Sequence, residues 1–281
     1  MKIVINQSLS QTMNTPDHPW NIAFHSGMTS FSDFRAIAQL GMPVGVVATL
    51  LTLAQAHLAI PRHLDQGGMA FVDSGAFTAF QKKREMDWGK VIRAYETIAT
   101  NTIQPTNLSV VAPDVIGDQV ETRRLWVLYA DSIRKWVDMG VRVIIPLQVG
   151  EMSGGELFEE ACSILGTRKL ACGIPSNAAT MSHTDCATIR NSDFHILGRV
   201  SMTDELRLKV SAILASNPGA NLTSDANWLR ARTAKICRIR ANLPAFSGDF
   251  ESRRMRAVQA LLMSEGYLHT RPALPLNQEL R

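Results

Sequence analysis

The sequence lacks most of the features that mark secreted, membrane-spanning or metal-stapled proteins. It has only four cysteines in 281 residues and no CxxC pair, so neither a disulfide framework nor a zinc knuckle is expected. No apolar run reaches the roughly 18 residues that a membrane-spanning helix needs. Asn6 and Gln7 interrupt the N-terminal apolar run too early for a signal peptide. These absences predict reduced thiols, a cytoplasmic location and no membrane partner.

The composition is that of a globular chain with few aromatic and few charged residues. Aromatic residues make up 6% and charged residues 19%, whereas hydrophobic residues make up 46%. This balance excludes an intrinsically disordered chain. No repeat, low-complexity tract or linker marks a boundary, so we predict one domain over residues 1–281. The net charge of +4 and the pI of about 9.0 permit nucleic-acid binding without requiring it.

Short β-branched runs alternate with longer segments of helical period. Near-continuous apolar strands separated by helices of about 10–15 residues are typical of parallel β/α units buried on both faces. Eight such runs predict a (β/α)8 TIM barrel, with an open doubly wound sheet as the alternative. The predicted strands are 22–25, 44–49, 69–73, 108–114, 141–149, 169–173, 194–198 and 220–225, and the predicted helices are 33–40, 88–100, 121–139, 156–165 and 204–215.

Most predicted strands end in a polar or glycine-bearing tip. Three tips carry an aspartate, namely Asp73, Asp114 and Asp225. Because all strands of a parallel barrel open their carboxyl ends on one face, these carboxylates should meet in one cavity. Carboxylates that share a cavity should differ in pKa, so that one is anionic while another handles protons.

Each aspartate also has a structural interpretation, and the residues alone leave the choice open. Asp73 precedes Ser74 and Gly75, so it either presents a carboxylate above a tight turn or caps the next helix. Asp225 is either a nucleophile toward a sugar carbon or the cap of a helix that begins near Trp228.

Polar residues at other strand ends also allow a functional and a structural interpretation. Asp114 either binds the flat hydrogen-bonding edge of a guanine-like base or belongs to a segment whose role is helix capping, by Asp118 rather than by Asp114. Gln148 either binds a purine-like group or bonds to the backbone. His25 either faces the cavity and orients Asp73 or substrate, or has no part in it. His195 lies within an apolar strand, which favours a hydrogen-bonded core histidine.

Taken in chain order, these tips resemble motifs of the tRNA-guanine transglycosylase family. The resemblance covers about residues 20–240. The run 71–77 is similar to the family's Asp-Ser-Gly-Gly-Phe motif, 148–150 to Val-Gln-Gly, 172–174 to its glycine-bearing loop, 195–198 to Tyr-Leu-Met-Gly, and 223–227 to the archaeal nucleophile motif Phe-Asp-Ser-Ala-Ser.

The resemblance implies a base exchange that needs no cofactor. Asp225 would be the nucleophile and Asp73 the general acid and base. A group of residues would bind the purine or support it, namely Ser74, Gly75, Asp114, Gln148, Gly173 and His25. The implied substrates are a guanine nucleotide in DNA or tRNA and a free 7-deazaguanine base such as preQ0.

The sequence departs from the family pattern at Ala76, which stands where the family has a second glycine and implies a narrower pocket floor. Cys237 alone cannot supply the zinc site of the tRNA enzymes, so no metal is expected, and the chain lacks the length of their additional subdomains. These two losses favour the DNA-modifying branch. The chain therefore most resembles the DpdA-type DNA transglycosylases, which implies a bacterial or phage-encoded protein acting in the cytoplasm. The alternatives are a tRNA enzyme with a reduced C-terminus, a non-catalytic nucleic-acid-binding barrel, and a hydrolytic barrel enzyme.

A basic, helical C-terminal segment over about 226–281 supports nucleic acid as a partner. A base inside a duplex must be flipped out, with or without a helicase or ATPase partner. The residues expected to hold phosphates, or alternatively to form a solvated helix face, are Arg230, Arg232, Lys235, Arg238 and Arg240.

Overall fold

The computed structural model describes residues 20–176, 181–198, 203–239 and 250–264. Eight parallel strands follow one another around a closed barrel in chain order, and β8 returns to β1 with Asp225 opposite Phe24. The predicted (β/α)8 TIM barrel is therefore confirmed. The strands are β1 (Ile22–His25), β2 (Val44–Val47), β3 (Ala70–Asp73), β4 (Leu108–Val111), β5 (Arg142–Pro146), β6 (Ala171–Pro175), β7 (Asp193–Leu197) and β8 (Asn221–Ala226).

Helices follow the strands, and several begin at a side chain that accepts a backbone N–H of the first turn. Ser30, Asp87, Asp118 and Ser153 are examples, and Asp118 is thus a helix cap as predicted. The helices are α1 (Phe31–Gln39), α2 (Ile60–Asp65), α3 (Ala76–Gln81), α4 (Trp88–Asn101), α5 (Gln119–Leu128), α6 (Ala130–Asp138), α7 (Gly154–Leu165), α8 (His183–Thr188), α9 (Asp204–Ser216), α10 (Trp228–Ile239) and α11 (Phe250–Ser264).

The segment between β4 and β5 differs from its prediction. A single helix over 121–139 was expected, but the structure has two helices, α5 and α6, that meet at Tyr129. The Tyr129 backbone, at φ −107° and ψ 17°, leaves the α-helical region and separates the two helices. The sequence has no glycine or proline there to signal the break.

Two apolar clusters form the core. The larger one lies between the strands and the helices, and a smaller one contains Phe24, Phe71, Val111, Ile144 and Ala171. Because successive side chains alternate across a strand, these five residues fix which positions of each strand face the barrel interior. They form an apolar floor beneath the carboxyl ends of the strands.

Polar side chains occupy the amino end of the barrel. Arg142, the first residue of β5, donates from Nε and Nη2 to the two carboxylate oxygens of Asp193, both at 2.7 Å. Asn221 donates to the same Asp193 carboxylate at 2.7 Å. This network joins the first residues of three strands, β5, β7 and β8, at the end opposite the predicted site.

No helix in the described part of the chain is both long and apolar enough to cross a membrane.

Candidate functional site

Asp73 is the last residue of β3. It lies two residues after Phe71, which faces the barrel interior, so its side chain is on the same face of the strand. Its side chain is partly exposed at the carboxyl end of the barrel. Burial, together with the charge of Asp225, raises the pKa of Asp73 to about 7, although backbone N–H groups of Gly75 and Ser74 oppose the shift. Asp73 is therefore a carboxyl group that changes its protonation near neutral pH.

The turn after Asp73 needs both of the residues that follow. The Ser74 hydroxyl accepts the Ala76 N–H at 3.1 Å. Gly75 has φ +91°, and a Cβ there would lie 2.8 Å from Oγ1 of Thr49 and 3.0 Å from Cγ1 of Val47. Only glycine fits this left-handed and crowded position, so Ser74 and Gly75 have structural reasons for their identity.

Asp225 lies in β8 on the same interior face, and it is 8% exposed. Its Oδ1 accepts the Gly198 N–H at 3.0 Å. Burial raises the pKa of Asp225 to about 7, against hydrogen bonds from the Ser26 side chain, from Gly198 and from its own backbone. The loop ends after β1 and β7 thus hold this carboxyl over the barrel.

Asp73 and Asp225 therefore lie on the same interior face at the carboxyl end of the barrel, as the strand-end argument predicts. The carboxyl groups of Asp73 and Asp225 interact electrostatically, as do those of Asp73 and Asp114. Within the described residues no Lys or Arg forms an ion pair with any of these three carboxyl groups. Among the described residues, these three carboxyl groups therefore have no Lys or Arg ion-pair partner, although Arg230 lies beside Gly27 at the same end of the barrel.

His195 is the site residue that the sequence interpretation missed. It lies in β7 with no exposed surface, stacked on Phe71 with ring centroids 4.6 Å apart. Its Nδ1 lies 2.7 Å from Oγ1 of Thr223, and its Nε2 lies 3.7 Å from Oδ1 of Asp225. Burial lowers the pKa of His195 well below its usual value, so the ring is neutral. It is a hydrogen-bonded buried histidine, as predicted, but it also faces the candidate catalytic carboxyl.

Asp114 and Gln148 form a second polar unit beside the first. The Gln148 Nε2 donates to Oδ2 of Asp114 at 2.8 Å, and its Oε1 accepts the Gly117 N–H at 2.9 Å. Its main-chain oxygen accepts from Nε2 of Gln119 at 2.8 Å. The amide is therefore held by its neighbours. Burial, followed by the charge of Asp73, raises the pKa of Asp114 to about 8.

The raised pKa of Asp114 predicts a stability that depends on pH. The folded-state pKa lies above the roughly 3.9 of an unfolded aspartate, so the stability this group provides is present below pH 4 and is lost as pH rises toward 8. Asp114→Asn keeps an oxygen for Gln148 and cannot ionise. We expect it to be about 2–5 kcal/mol more stable than the wild type at pH 8.5 and nearly equal at pH 4.5.

Urea unfolding at the two pH values measures this difference. Asp118→Asn is the matched control, since asparagine caps a helix as well as aspartate does. An Asp114→Asn effect of the same size at both pH values would contradict the prediction.

Two further predicted binding residues have other surroundings. A Cβ on Gly173 would lie 2.8 Å from Cδ1 of Leu197 and 2.9 Å from Cγ2 of Ile144, so glycine makes room for interior packing. His25 is 1% exposed and follows the interior residue Phe24, so alternation directs it toward the helices. Burial lowers the pKa of His25 to about 4, which makes it neutral. Substrate binding by either residue stays a prediction.

The predicted phosphate-binding residues are only partly described. Arg230, Arg232 and Lys235 are exposed on α10. The side chain of Arg238 and the whole of Arg240 lie outside the described residues. Arg230 passes Gly27 at the carboxyl end of β1, where an added Cβ would lie 2.9 Å from its Cδ. Nucleic acid as a partner stays a prediction.

The acidic and imidazole groups do not gather into a metal-binding set. Among the described residues, no three His, Cys, Asp or Glu side chains are grouped so that they could hold a metal ion.

Comparisons with known proteins concern the fold alone. No protein-family model matches the chain, and no curated protein matches it. Among solved structures, it is similar to the YdjI aldolase from Escherichia coli K12, with 14% identity over 89% of this chain and 90% of that one and a TM-score of 0.48. It is also similar to an L-ribulose 3-epimerase, with 11% identity, 89% and 94% coverage and a TM-score of 0.46. A D-allulose 3-epimerase from Methylomonas sp. has 9% identity, 87% and 97% coverage and a TM-score of 0.46.

These findings correct the transglycosylase assignment. No family model supports it, and the three similar structures are an aldolase and two sugar epimerases. The prediction of a DpdA-type or tRNA-type guanine transglycosylase that modifies DNA with 7-deazaguanine is therefore wrong. Its motifs have a simpler cause in this fold, because Ser74 caps a turn, Gly75 fits a left-handed position and Gly173 makes room for its neighbours. The comparisons show no family, and the TIM-barrel fold rests on the closed eight-stranded barrel itself.

Proposed function

We propose that the chain is an enzyme that transfers protons on a small, neutral, polar substrate, with Asp73 and Asp225 as the acid–base pair. The observation that carries the proposal is the pair itself, two interacting carboxyls from β3 and β8 with pKa values of about 7. Groups with such values exist in both protonation states at neutral pH, which is the condition for efficient general acid–base catalysis.

The charge of the site favours a neutral substrate. An anionic substrate such as a sugar phosphate would be repelled by the carboxylates, which have no ion-paired Lys or Arg among the described residues. The fixed Asp114–Gln148 pair adds hydrogen-bonding groups suited to hydroxyl or carbonyl groups. A neutral sugar or a similar polyhydroxylated molecule has these properties.

Isomerisation or epimerisation is the reaction that two carboxyls can complete without a co-reactant. One carboxylate removes a proton from a carbon next to a carbonyl, the C–H electron pair forms an enediol, and the carboxylic acid protonates the carbonyl oxygen. In the second half of the reaction, the first carboxyl returns a proton to carbon and the second takes one from an enediol oxygen. Both carboxyls are then back in their starting protonation states. Because both pKa values are about 7, each carboxyl can take up and release a proton near neutral pH.

Hydrogen–deuterium exchange tests the proposal directly. The protein is incubated in D2O with a panel of neutral ketoses and aldoses that includes D-allulose and L-ribulose, and proton NMR follows loss of the C–H signal next to the carbonyl. We expect exchange with at least one sugar, and none with Asp73→Asn. Saturation-transfer NMR on the same samples reports binding. Sugars that bind but never exchange would contradict the proposal.

A further inference from the structure

The hydrogen bonds of His195 favour one tautomer of its ring. The Thr223 hydroxyl can only donate to the main-chain oxygen of Phe194, which lies 3.2 Å away. With its single proton used there, the hydroxyl accepts from Nδ1 of His195, which lies 2.7 Å away. A neutral imidazole with a proton on Nδ1 has a lone pair on Nε2.

The lone pair of Nε2 faces Asp225. Nε2 lies 3.7 Å from Oδ1 of Asp225, and it has no other hydrogen-bond partner among the described residues. The ring has no exposed surface, so solvent does not reach this gap. At this distance a small rotation of the carboxyl would bring a proton on Asp225 into hydrogen-bonding range, whereas a carboxylate would face a second acceptor.

The other charged groups near the ring do not change this arrangement. Arg142 and Asp193 lie at the amino end of the barrel, bonded to each other through two hydrogen bonds. The cation of Arg142 disfavours a protonated ring, and Asp193 favours one less strongly. Phe71 stacks on the ring and fixes its plane. The imidazole is thus a neutral acceptor directed at Asp225.

Asp73 has different surroundings. The backbone N–H groups of Ser74 and Gly75 oppose the rise in its pKa, and the charge of Asp73 acts on the buried Tyr95 and on Asp114. Hydrogen bonds from N–H groups stabilise the ionised form of a carboxyl. Asp225 also accepts such bonds, but it has in addition the buried Nε2 of His195, 3.7 Å from its Oδ1.

We infer that His195 is a positioning residue. When one of the two carboxyls Asp73 and Asp225 is protonated, His195 keeps that proton on Asp225, so that Asp225 is the proton donor and Asp73 the proton acceptor of the pair. The assignment of the two roles rests on the proposed function. The tautomer of His195 and the protonation of Asp225 do not, because both exist without a substrate. In this arrangement Thr223 sets the tautomer of His195, and Nε2 of His195 accepts a hydrogen bond from the protonated Asp225.

Thr223→Val tests the inference with little change in volume. Valine removes the acceptor of the Nδ1 proton, so the ring should change to the tautomer with the proton on Nε2, which then donates to the Asp225 carboxylate. Long-range proton–nitrogen NMR of histidine-labelled protein reads the tautomer, and carbon NMR of labelled aspartate, assigned with Asp225→Asn, reads the protonation of Asp225. We expect the acid dissociation constant of Asp225 to rise at least tenfold.

Thr223→Ser is the matched control, since it keeps the hydroxyl and should keep the wild-type tautomer and titration. Wild-type protein with the proton of His195 on Nε2 would overturn the inference, whether or not Thr223→Val folds. A folded Thr223→Val variant with the wild-type tautomer or titration would also overturn it. The expected NMR result without any sugar exchange would instead contradict the proposed function alone.

Discussion

Asp225→Asn and Asp73→Asn should each lower kcat by about 10²–10⁴-fold on any sugar that the protein exchanges, which is the usual contribution of general acid–base catalysis. The two carboxyls act on one proton-transfer cycle, and their charges interact. The double variant should therefore lose little more than either single variant, since residues that act as a unit are not additive. Steady-state kinetics by proton NMR measures all three.

Asp118→Asn is the control for this experiment, since Asp118 also follows a barrel strand but caps α5. It should retain nearly the wild-type kcat. An Asp73→Asn or Asp225→Asn variant that keeps more than about a tenth of wild-type activity would contradict the assignment of the pair.

The same pair predicts how activity depends on pH. Both pKa values are about 7, and catalysis needs one protonated and one ionised carboxyl. Below this range the acceptor is protonated, and above it the donor has lost its proton, so kcat/KM should fall on both sides of neutral pH. The two limbs belong to the pair rather than to either residue alone.

The barrel could be predicted from the sequence because its strands are β-branched runs buried on both faces. β1 has the predicted bounds, whereas β5 ends at Pro146, before the predicted 149. Buried apolar side chains continue past the last residue of β5, since Leu147 is buried in the following loop. Hydrophobicity reports burial, and burial does not stop where a strand ends.

The three aspartates could be placed together because parallel strands share one carboxyl end. His195 could not be recognised as a site residue in the same way. Its contact with Asp225 depends on the register of β7 and β8, in which His195 lies opposite Thr223. Alternation within β8 places Thr223 and Asp225 on one face, and that part of the signal was present in the sequence. Motif resemblance was less informative, since caps and glycines recur at strand ends for structural reasons.

Asp33→Asn should have the largest effect on stability, because it separates a buried ion pair that joins α11 to α1. The Arg254 Nε donates to Oδ1 of Asp33 at 2.7 Å, and Nη2 contacts the same oxygen. Asp33 is 3% exposed and Arg254 is 8% exposed. Breaking a buried ion pair by removing one partner costs about 3–5 kcal/mol. Urea unfolding at pH 7 measures the loss.

The double variant Asp33→Leu with Arg254→Met separates the cost of breaking the ion pair from the net contribution of the pair to stability. Apolar side chains of similar volume often replace a buried ion pair without loss, so the double variant should be much closer to wild type than Asp33→Asn is. Asp131→Asn, which removes an exposed partner of Arg134, should cost less than about 1 kcal/mol. If Asp33→Asn costs no more than Asp131→Asn, the ion pair does not hold α11 against the barrel.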